Sequence, residues 1–286
     1  MSFLFWLLPG IVALVIFSFV ALLMLRQRGF FVQIEKYGLS RLAEKLRPHT
    51  RIWAPEGEGP FPVVILMHGC GGPRGVQASY AQHATACGFM AMAPDSLAYR
   101  NISYEDAVAK VCTGARLRAG ERAGDLFAAL ELARQDPRAD TQTILLAGWS
   151  HGAWTIMDAL TYAHENLAPP SLKHLPNSAL DGVRGVLALY PYSGFLARSR
   201  GHDWPDDIRV EALLVRGDAV CSDVESAKLL EAKQAAGAPV SWSWIDGATH
   251  GFDEQNHKPN SGLVYDAGKA REAEALFVRF LKSFND

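Results

Sequence analysis

The chain lacks a basic excess, and this limits the partners it can have. Its 286 residues include 28 Lys and Arg against 30 Asp and Glu, a formal net charge of −2 at pH 7. A protein that tracks nucleic acid phosphates normally carries a surplus of basic residues. Nucleic acid is therefore excluded as an expected partner.

Cysteine is scarce, and its spacing excludes two further classes of site. The chain has four cysteines, none of them in a Cys-x-x-Cys pair: Cys70, Cys87, Cys112 and Cys221. Structural zinc sites and thioredoxin-like redox motifs use such pairs, so neither is expected. Disulfide pairing depends on the compartment and stays open, Cys112 with Cys221 included. The chain also lacks repeats and low-complexity tracts, and its length suits one large domain with an appendage.

One long hydrophobic run stands at the N-terminus. Residues 3–25 are 23 consecutive uncharged, mostly apolar positions. At 1.5 Å per residue, a helix of this length crosses a hydrocarbon core of about 30 Å. A cleaved signal peptide is the alternative, but no basic residue precedes the run and no small-residue cleavage site follows it. The pattern favours an uncleaved single-pass anchor at residues 1–25, with the lipid bilayer as a partner through residues 3–25.

The residues after this run set the expected topology. Lys and Arg are frequent between residues 26 and 48, whereas the preceding flank has none. The positive-inside rule then favours a cytoplasmic position for the following domain, with an extracytoplasmic position as the alternative. Residues 26–48 are interpreted as a juxtamembrane connector that either lies against anionic headgroups or is a solvated linker. One folded domain is expected over residues 49–286.

Residues 49–286 alternate apolar, β-branched segments with segments of helical spacing. Such alternation predicts a mostly parallel sheet with helices on both faces, an α/β fold. The strands are predicted at residues 50–54, 62–67, 89–93, 143–147, 183–189, 211–216 and 239–245. The helices are predicted at residues 77–87, 116–135, 153–163, 224–236 and 268–284. Ligands of such sheets bind at the carboxyl ends of the strands, which makes the residues directly after each strand the candidates for function.

The pentapeptide Gly148-Trp149-Ser150-His151-Gly152 follows one of these strands and precedes a predicted helix. Gly-x-Ser-x-Gly between a strand and a helix is typical of a nucleophile elbow, in which the serine hydroxyl projects above the sheet. The alternative is an ordinary turn whose serine only caps the helix. The strand-turn-helix context favours Ser150 as a nucleophile.

Three other strand ends carry residues that complement a serine nucleophile. His68-Gly69-Cys70-Gly71-Gly72 is a glycine-rich turn, so the amides of Cys70 and His151 are candidates for an oxyanion hole. Asp218 lies directly beyond a strand and is preferred as the acid. Asp223 is the alternative acid, but it follows Ser222 at the start of a predicted helix, where a carboxylate has a structural role. His250 follows the last strand and is the candidate base.

Four motifs occur together in this chain: His68-Gly69-Cys70-Gly71-Gly72, Ala93-Pro94-Asp95-Ser96, the pentapeptide around Ser150 and Thr249-His250-Gly251-Phe252. Together they resemble the motifs of the dienelactone hydrolase family. This family belongs to the α/β-hydrolase superfamily, and the resemblance runs from about residue 50 to the C-terminus. It implies an α/β-hydrolase fold and hydrolysis of an ester or lactone with neither a metal nor an organic cofactor. The founding members use a cysteine nucleophile, whereas this chain has Ser150, which indicates a serine-bearing member.

Together these features predict a serine hydrolase of a small-molecule carboxylic ester or lactone that acts through an acyl-enzyme intermediate. The alternatives are an acyltransferase with the same triad and a catalytically inactive, membrane-tethered binding module. The segments 97–114 and 169–181 are predicted to form the walls of the substrate pocket.

Overall fold

The structure is a computed structural model that describes residues 11–12, 14–19, 33–257 and 261–285. Seven strands form one sheet. They are β1 (Thr50–Trp53), β2 (Phe61–Met67), β3 (Met90–Pro94), β4 (Ala139–Trp149), β5 (Val183–Leu189), β6 (Arg209–Val215) and β7 (Val240–Ile245). Their spatial order is β1-β3-β2-β4-β5-β6-β7. Only the edge strand β1 runs antiparallel to its neighbour, so the sheet is mostly parallel, as predicted.

Six helices of eight or more residues lie within residues 33–257 and 261–285. They are α1 (Leu39–Leu46), α2 (Val76–Ala86), α3 (Ala119–Gln135), α4 (His151–His164), α5 (Asp223–Ala235) and α6 (Ala267–Lys282). Helices α1, α3, α4 and α5 share a hydrophobic core with one face of the sheet. Helices α2 and α6 share a second core with the other face. The helices therefore cover both faces, which confirms the α/β fold class.

The central strands are apolar on both faces because both faces are covered. Residues 63–67 of β2 and residues 144–149 of β4 are buried without alternation. Val64 and Leu66 belong to one core, whereas Val63, Ile65 and Met67 belong to the other. An uninterrupted apolar run is the pattern expected of a parallel strand between two helical layers.

Part of the predicted connector, residues 26–48, belongs to the folded domain. Helix α1 buries Leu42 and Leu46 completely, and both pack in the core that α3 also lines. Arg41 and Lys45 lie outside the buried face of this amphipathic helix, and basic residues of this kind are the reason that residues 26–48 are predicted as a connector. Helix α1 is therefore packed as part of the folded domain and is not a solvated linker.

The predicted membrane segment, residues 3–25, lies largely outside the described residues. Within it, residues 11–12 and 14–19 are helical. In the part of the chain that the structure describes, no helix has the length and apolar character needed to cross a membrane. The anchor therefore stays a prediction.

The sheet order brings the candidate residues to one edge. Strands β2 and β4 are neighbours, so the turns that follow them, at Gly69 and at Ser150, lie side by side. Strands β6 and β7 are also neighbours, and Asp218 and His250 follow them. Strand β5 lies between the two pairs, and Tyr190 directly follows it. The four turns therefore surround one site at the carboxyl ends of the strands.

Candidate active site

The turn between β4 and α4 holds Ser150 in a backbone conformation that few residues adopt. Its φ is 52° and its ψ is −113°. The two flanking glycines allow this turn, because a Cβ on Gly152 would lie 2.0 Å from the Met67 carbonyl oxygen. A Cβ on Gly148 would lie 2.7 Å from the Ala153 amide nitrogen. The chain therefore packs so closely here that the serine projects from a strained turn, as in a nucleophile elbow.

Two successive hydrogen bonds join three of the predicted residues. The Ser150 hydroxyl lies 2.9 Å from His250 Nε2, and His250 Nδ1 lies 2.7 Å from an Asp218 carboxylate oxygen. The Asp218 side chain is only 1% exposed and that of His250 only 8%. The other Asp218 oxygen accepts hydrogen bonds from the amides of Val220 and Cys221, which fix the carboxylate in place.

The alternative acid, Asp223, lies outside this chain of hydrogen bonds. Its carboxylate accepts from the Gly217 amide and from the Val224 amide at the start of α5. Ser222 caps the same helix and accepts from the Glu225 amide, as its position predicts. Asp223 therefore serves the helix end, and Asp218 faces His250.

The charge of Asp218 sets the protonation behaviour of His250. Burial lowers the pKa of His250, but the hydrogen bond to Asp218 and the contact with the Cys221 thiol outweigh it, so the pKa is raised. Cys221 Sγ lies 4.0 Å from His250 Nε2. The imidazole therefore binds a proton more readily than a free histidine does, as a base between a hydroxyl and a carboxylate must.

The two amides predicted to form an oxyanion hole belong to residues that line the same cavity. Within the described chain, neither the Cys70 amide nor the His151 amide donates a hydrogen bond to another protein group. A Cβ on Gly69 would lie 3.9 Å from the Ser150 Cβ, so the glycine turn passes beside the serine. Two free amides next to a nucleophile suit the negative oxygen of a tetrahedral intermediate.

A buried carboxylate supports the floor of the site. Asp253 accepts hydrogen bonds from Trp149 Nε1 at 3.0 Å, from the Tyr80 hydroxyl at 3.0 Å and from the Tyr190 hydroxyl at 2.5 Å. The Tyr190 ring packs edge-on against the imidazole of His250, with 4.8 Å between the ring centroids. Asp253 therefore fixes both the elbow and the ring beneath His250.

A cavity of about 350 Å³ opens over Ser150, His151 and His250. Its apolar walls are Val108, Trp154, Tyr192, Leu196, Val220 and Leu263. Segment 97–114 contributes to these walls, as predicted. Segment 169–181 does not line this cavity, so its predicted role as a pocket wall is wrong; Ser171 instead bonds to the Glu121 carbonyl and Leu172 packs in the core.

Two features of the cavity have no counterpart in the sequence predictions. Cys70 forms a disulfide with Cys112, which joins the glycine turn to the opposite wall. Glu254 also lines the cavity. Burial raises the pKa of its carboxyl to about 7, and the charge of Asp253 raises it further, whereas the charges of Arg74 and His250 lower it. In the part of the chain that the structure describes, no cluster of three or more His, Cys, Asp and Glu side chains has metal-site geometry.

Comparison with known proteins identifies related sequences and folds. The model of the dienelactone hydrolase family matches residues 49–169. No curated protein sequence matches this chain.

Solved structures share the fold at low sequence identity. A Klebsiella pneumoniae protein assigned as a dienelactone hydrolase is 16% identical with a TM-score of 0.61, over 82% of this chain and 92% of that one. Esterase 2 of Thermogutta terrifontis is 14% identical with a TM-score of 0.61, over 82% and 88% of the two chains. The Bacillus cereus carboxylesterase is 18% identical with a TM-score of 0.51, over 80% and 93%. The chain thus carries the sequence pattern of the dienelactone hydrolase family over residues 49–169 on an α/β-hydrolase fold, which supports a carboxylic ester hydrolase.

Proposed function

We propose that this chain is a serine hydrolase of carboxylic esters or lactones, with Ser150 as nucleophile, His250 as base and Asp218 as the acid behind it. The observation that carries the proposal is the unbroken connection of Ser150, His250 and Asp218 at 2.9 Å and 2.7 Å at the floor of a cavity. Nucleophile, base and orienting carboxylate in hydrogen-bond contact form the arrangement that activates a serine hydroxyl.

The first half-reaction forms an acyl-enzyme. Ser150 Oγ attacks the ester carbonyl while His250 Nε2 takes the hydroxyl proton. The amides of Cys70 and His151 donate hydrogen bonds to the oxyanion. His250 then gives its proton to the leaving alkoxide, and the alcohol departs. Asp218 accepts from Nδ1–H throughout and stabilises the imidazolium that forms.

The second half-reaction returns the enzyme to its starting state. Water takes the place of the alcohol, and His250 removes a proton from it as it attacks the acyl carbonyl. The same two amides stabilise the second oxyanion. The carboxylic acid leaves, and the proton on His250 returns to Ser150. A lactone gives one product, a hydroxy acid, because its alcohol and acid are joined.

Cavity size and lining support a small substrate with an apolar part. A volume of about 350 Å³ is at the small end of ligand pockets, and most wall side chains are aromatic or aliphatic. The disulfide and the adjoining glycine turn close one side. Short-chain esters therefore suit the site better than long acyl chains or polymers.

The decisive experiment replaces Ser150 and measures hydrolysis of p-nitrophenyl acetate and butyrate. Ser150→Ala is expected to reduce kcat by at least about 10⁴-fold, because the nucleophile is lost. Ser241→Ala is the matched control, since Ser241 is exposed on β7 away from the cavity. Full activity of Ser150→Ala would refute the proposed role of this serine.

Two further measurements separate the alternative functions. A fluorophosphonate probe is expected to label the wild type at Ser150, and a folded protein that fails to react would favour a binding module. The Thermogutta terrifontis esterase 2 is itself phosphonylated by cyclosarin, which makes this chemistry a suitable probe of the fold. Analysis of products in the presence of alcohols tests the acyltransferase, which would yield new esters in place of the free acid.

We further propose that residues 3–25 anchor the enzyme in a membrane. All large apolar side chains described within residues 11–19 are exposed, between 50% and 74%. Sedimentation of the full chain with membranes after carbonate washing tests the anchor; a soluble full chain would refute it. The Cys70–Cys112 disulfide favours an oxidising compartment for the catalytic domain, contrary to the orientation that the Lys and Arg bias favours.

A further inference from the structure

Arg122 is a fully buried cation behind the candidate active site. Its side chain, on α3, is 0% exposed, and among the described residues it forms no ion pair with a carboxylate. The two nearest acidic residues on the same helix, Glu121 and Asp125, pair with Arg100 instead, at 3.5 Å and 2.6 Å. Burial of a cation without an ion-pair partner is unfavourable, so the hydrogen bonds of Arg122 are the interactions that compensate for it.

One nitrogen of the Arg122 guanidinium contacts the residue that follows the nucleophile. Its Nη1 lies 3.1 Å from His151 Nδ1. A guanidinium has donors only, so Nδ1 must be the acceptor and the His151 ring is neutral. Burial, with the charge of Arg122, lowers the pKa of His151 to about 3, which keeps the ring in this state. His151 supplies one of the two amides of the candidate oxyanion hole.

A second guanidinium nitrogen is connected to the glycine turn by hydrogen bonds through Ser96 and His68. Arg122 Nε donates to the Ser96 hydroxyl at 2.9 Å, and the Ser96 amide donates to His68 Nε2 at 3.1 Å. His68 Nε2 is thus an acceptor, and the ring proton lies on Nδ1. This Nδ1 donates to the Gly69 carbonyl at 2.6 Å. Gly69 directly precedes Cys70, which supplies the second amide.

We propose that Arg122 is a positioning residue that holds both halves of the oxyanion hole, the His151 amide through the His151 ring and the Cys70 amide through Ser96 and His68. The inference rests on the proposed function, because the two amides matter only if an oxyanion forms. Arg122 also places a permanent positive charge behind both amides, and its field favours a negative oxygen in front of them. Its effect should therefore appear in the transition state and not in substrate binding.

The test is a steady-state comparison of variants on p-nitrophenyl butyrate. Arg122→Met keeps the apolar stem and removes the guanidinium with its charge; its kcat is expected to fall about 100-fold, as for loss of an oxyanion-hole donor, with KM within about threefold. Arg122→Lys restores the charge without the fork of donors, and an intermediate kcat is expected. A trifluoromethyl ketone, which forms an oxyanion adduct with an active serine, should bind Arg122→Met more weakly by the factor that kcat/KM loses.

Arg134→Met is the matched control. Arg134 lies on the same helix, and its guanidinium donates hydrogen bonds to the carbonyls of Ser178, Ala179 and Asp181. None of these residues lines the cavity. This variant should keep the wild-type kcat and KM. A thermal melt followed by circular dichroism shows whether each variant is folded at the assay temperature.

Ser96→Ala decides the question if Arg122→Met does not fold. It removes only the bond from Arg122 to the hydroxyl, because the Ser96 amide that binds His68 remains. Its kcat is expected to fall about tenfold at unchanged KM.

Folded variants that keep the wild-type kcat, or that lose activity through KM alone, would overturn the inference and leave the proposed function standing. A wild type that hydrolyses no ester would overturn both.

Discussion

Loss of the Cys70–Cys112 disulfide should lower both the stability and the activity of the enzyme. The two cysteines are 42 residues apart in sequence. In the chain-entropy model, a cross-link that closes a loop of this length removes about 13 cal/mol/K from the unfolded chain, or about 4 kcal/mol at 25 °C. Cys112→Ser is therefore expected to lower the free energy of unfolding by about that amount.

The effect on activity follows from the position of Cys70. Its amide is a candidate oxyanion donor, and it lies in a turn with Gly69, Gly71 and Gly72. Without the bond to Cys112, this turn samples more conformations, because glycine restricts the backbone least. A fall in kcat of about tenfold is expected for Cys112→Ser, with a smaller change in KM.

Urea unfolding monitored by tryptophan fluorescence measures the stability change. With a slope of about 2.5 kcal/mol/M, a loss of about 4 kcal/mol lowers the midpoint by roughly 1.6 M. Cys87→Ser is the matched control, because Cys87 has a free thiol at the end of α2. Dithiothreitol should shift the wild type and Cys87→Ser equally and leave Cys112→Ser unchanged. Equal midpoints for Cys112→Ser and the wild type would refute the reasoning.

Three other predictions concern the acid, the base and the elbow. Asp218→Asn should lower kcat by about 10⁴-fold, while Asp223→Asn, which changes only a helix end, should stay within about twofold; the reverse order would identify Asp223 as the acid. Because Asp218 raises the pKa of His250 and the base must be deprotonated, the acid limb of kcat/KM should lie above the ordinary histidine value of 6.5 and move to lower pH in Asp218→Asn; a wild-type limb at or below 6.5 contradicts this. Gly152→Ala should lose more than about 4 kcal/mol of stability or fail to fold, since its Cβ would meet a backbone carbonyl at 2.0 Å. Gly201→Ala is the control, because a Cβ there meets open space, and it should melt like the wild type.

The strands and the order of the site residues could be predicted because both depend on local patterns. Apolar runs such as residues 183–189 match the observed strand at both ends. The choice between Asp218 and Asp223 also had a local basis, because a carboxylate next to Ser222 has a role at the helix end. The geometry that brings Asp218 to His250 depends on the pairing of β6 and β7, which the chain order alone does not fix.

Other features depend on contacts between distant parts of the chain. The pairing of Cys70 with Cys112 is one of several that four cysteines allow, and only the fold selects it. Residues 26–48 are predicted as a connector because they follow the hydrophobic run and carry six basic residues, although Leu42 and Leu46 have the spacing of a buried face. Arg122 had a signal of the same kind: at helical spacing it shares a face with Leu126 and other apolar residues, which marks it as a buried charge.

The residues that react and the residues that form the apolar walls of the cavity lie on different segments of the chain. The nucleophile, the base and the acid stand on turns fixed by tight packing and buried hydrogen bonds, so few substitutions are tolerated there. The apolar walls at Val108, Leu196 and Leu263 come instead from segments outside the sheet. Laboratory evolution that randomises these three positions and keeps the turns constant should therefore yield enzymes of altered ester preference with an intact reaction mechanism.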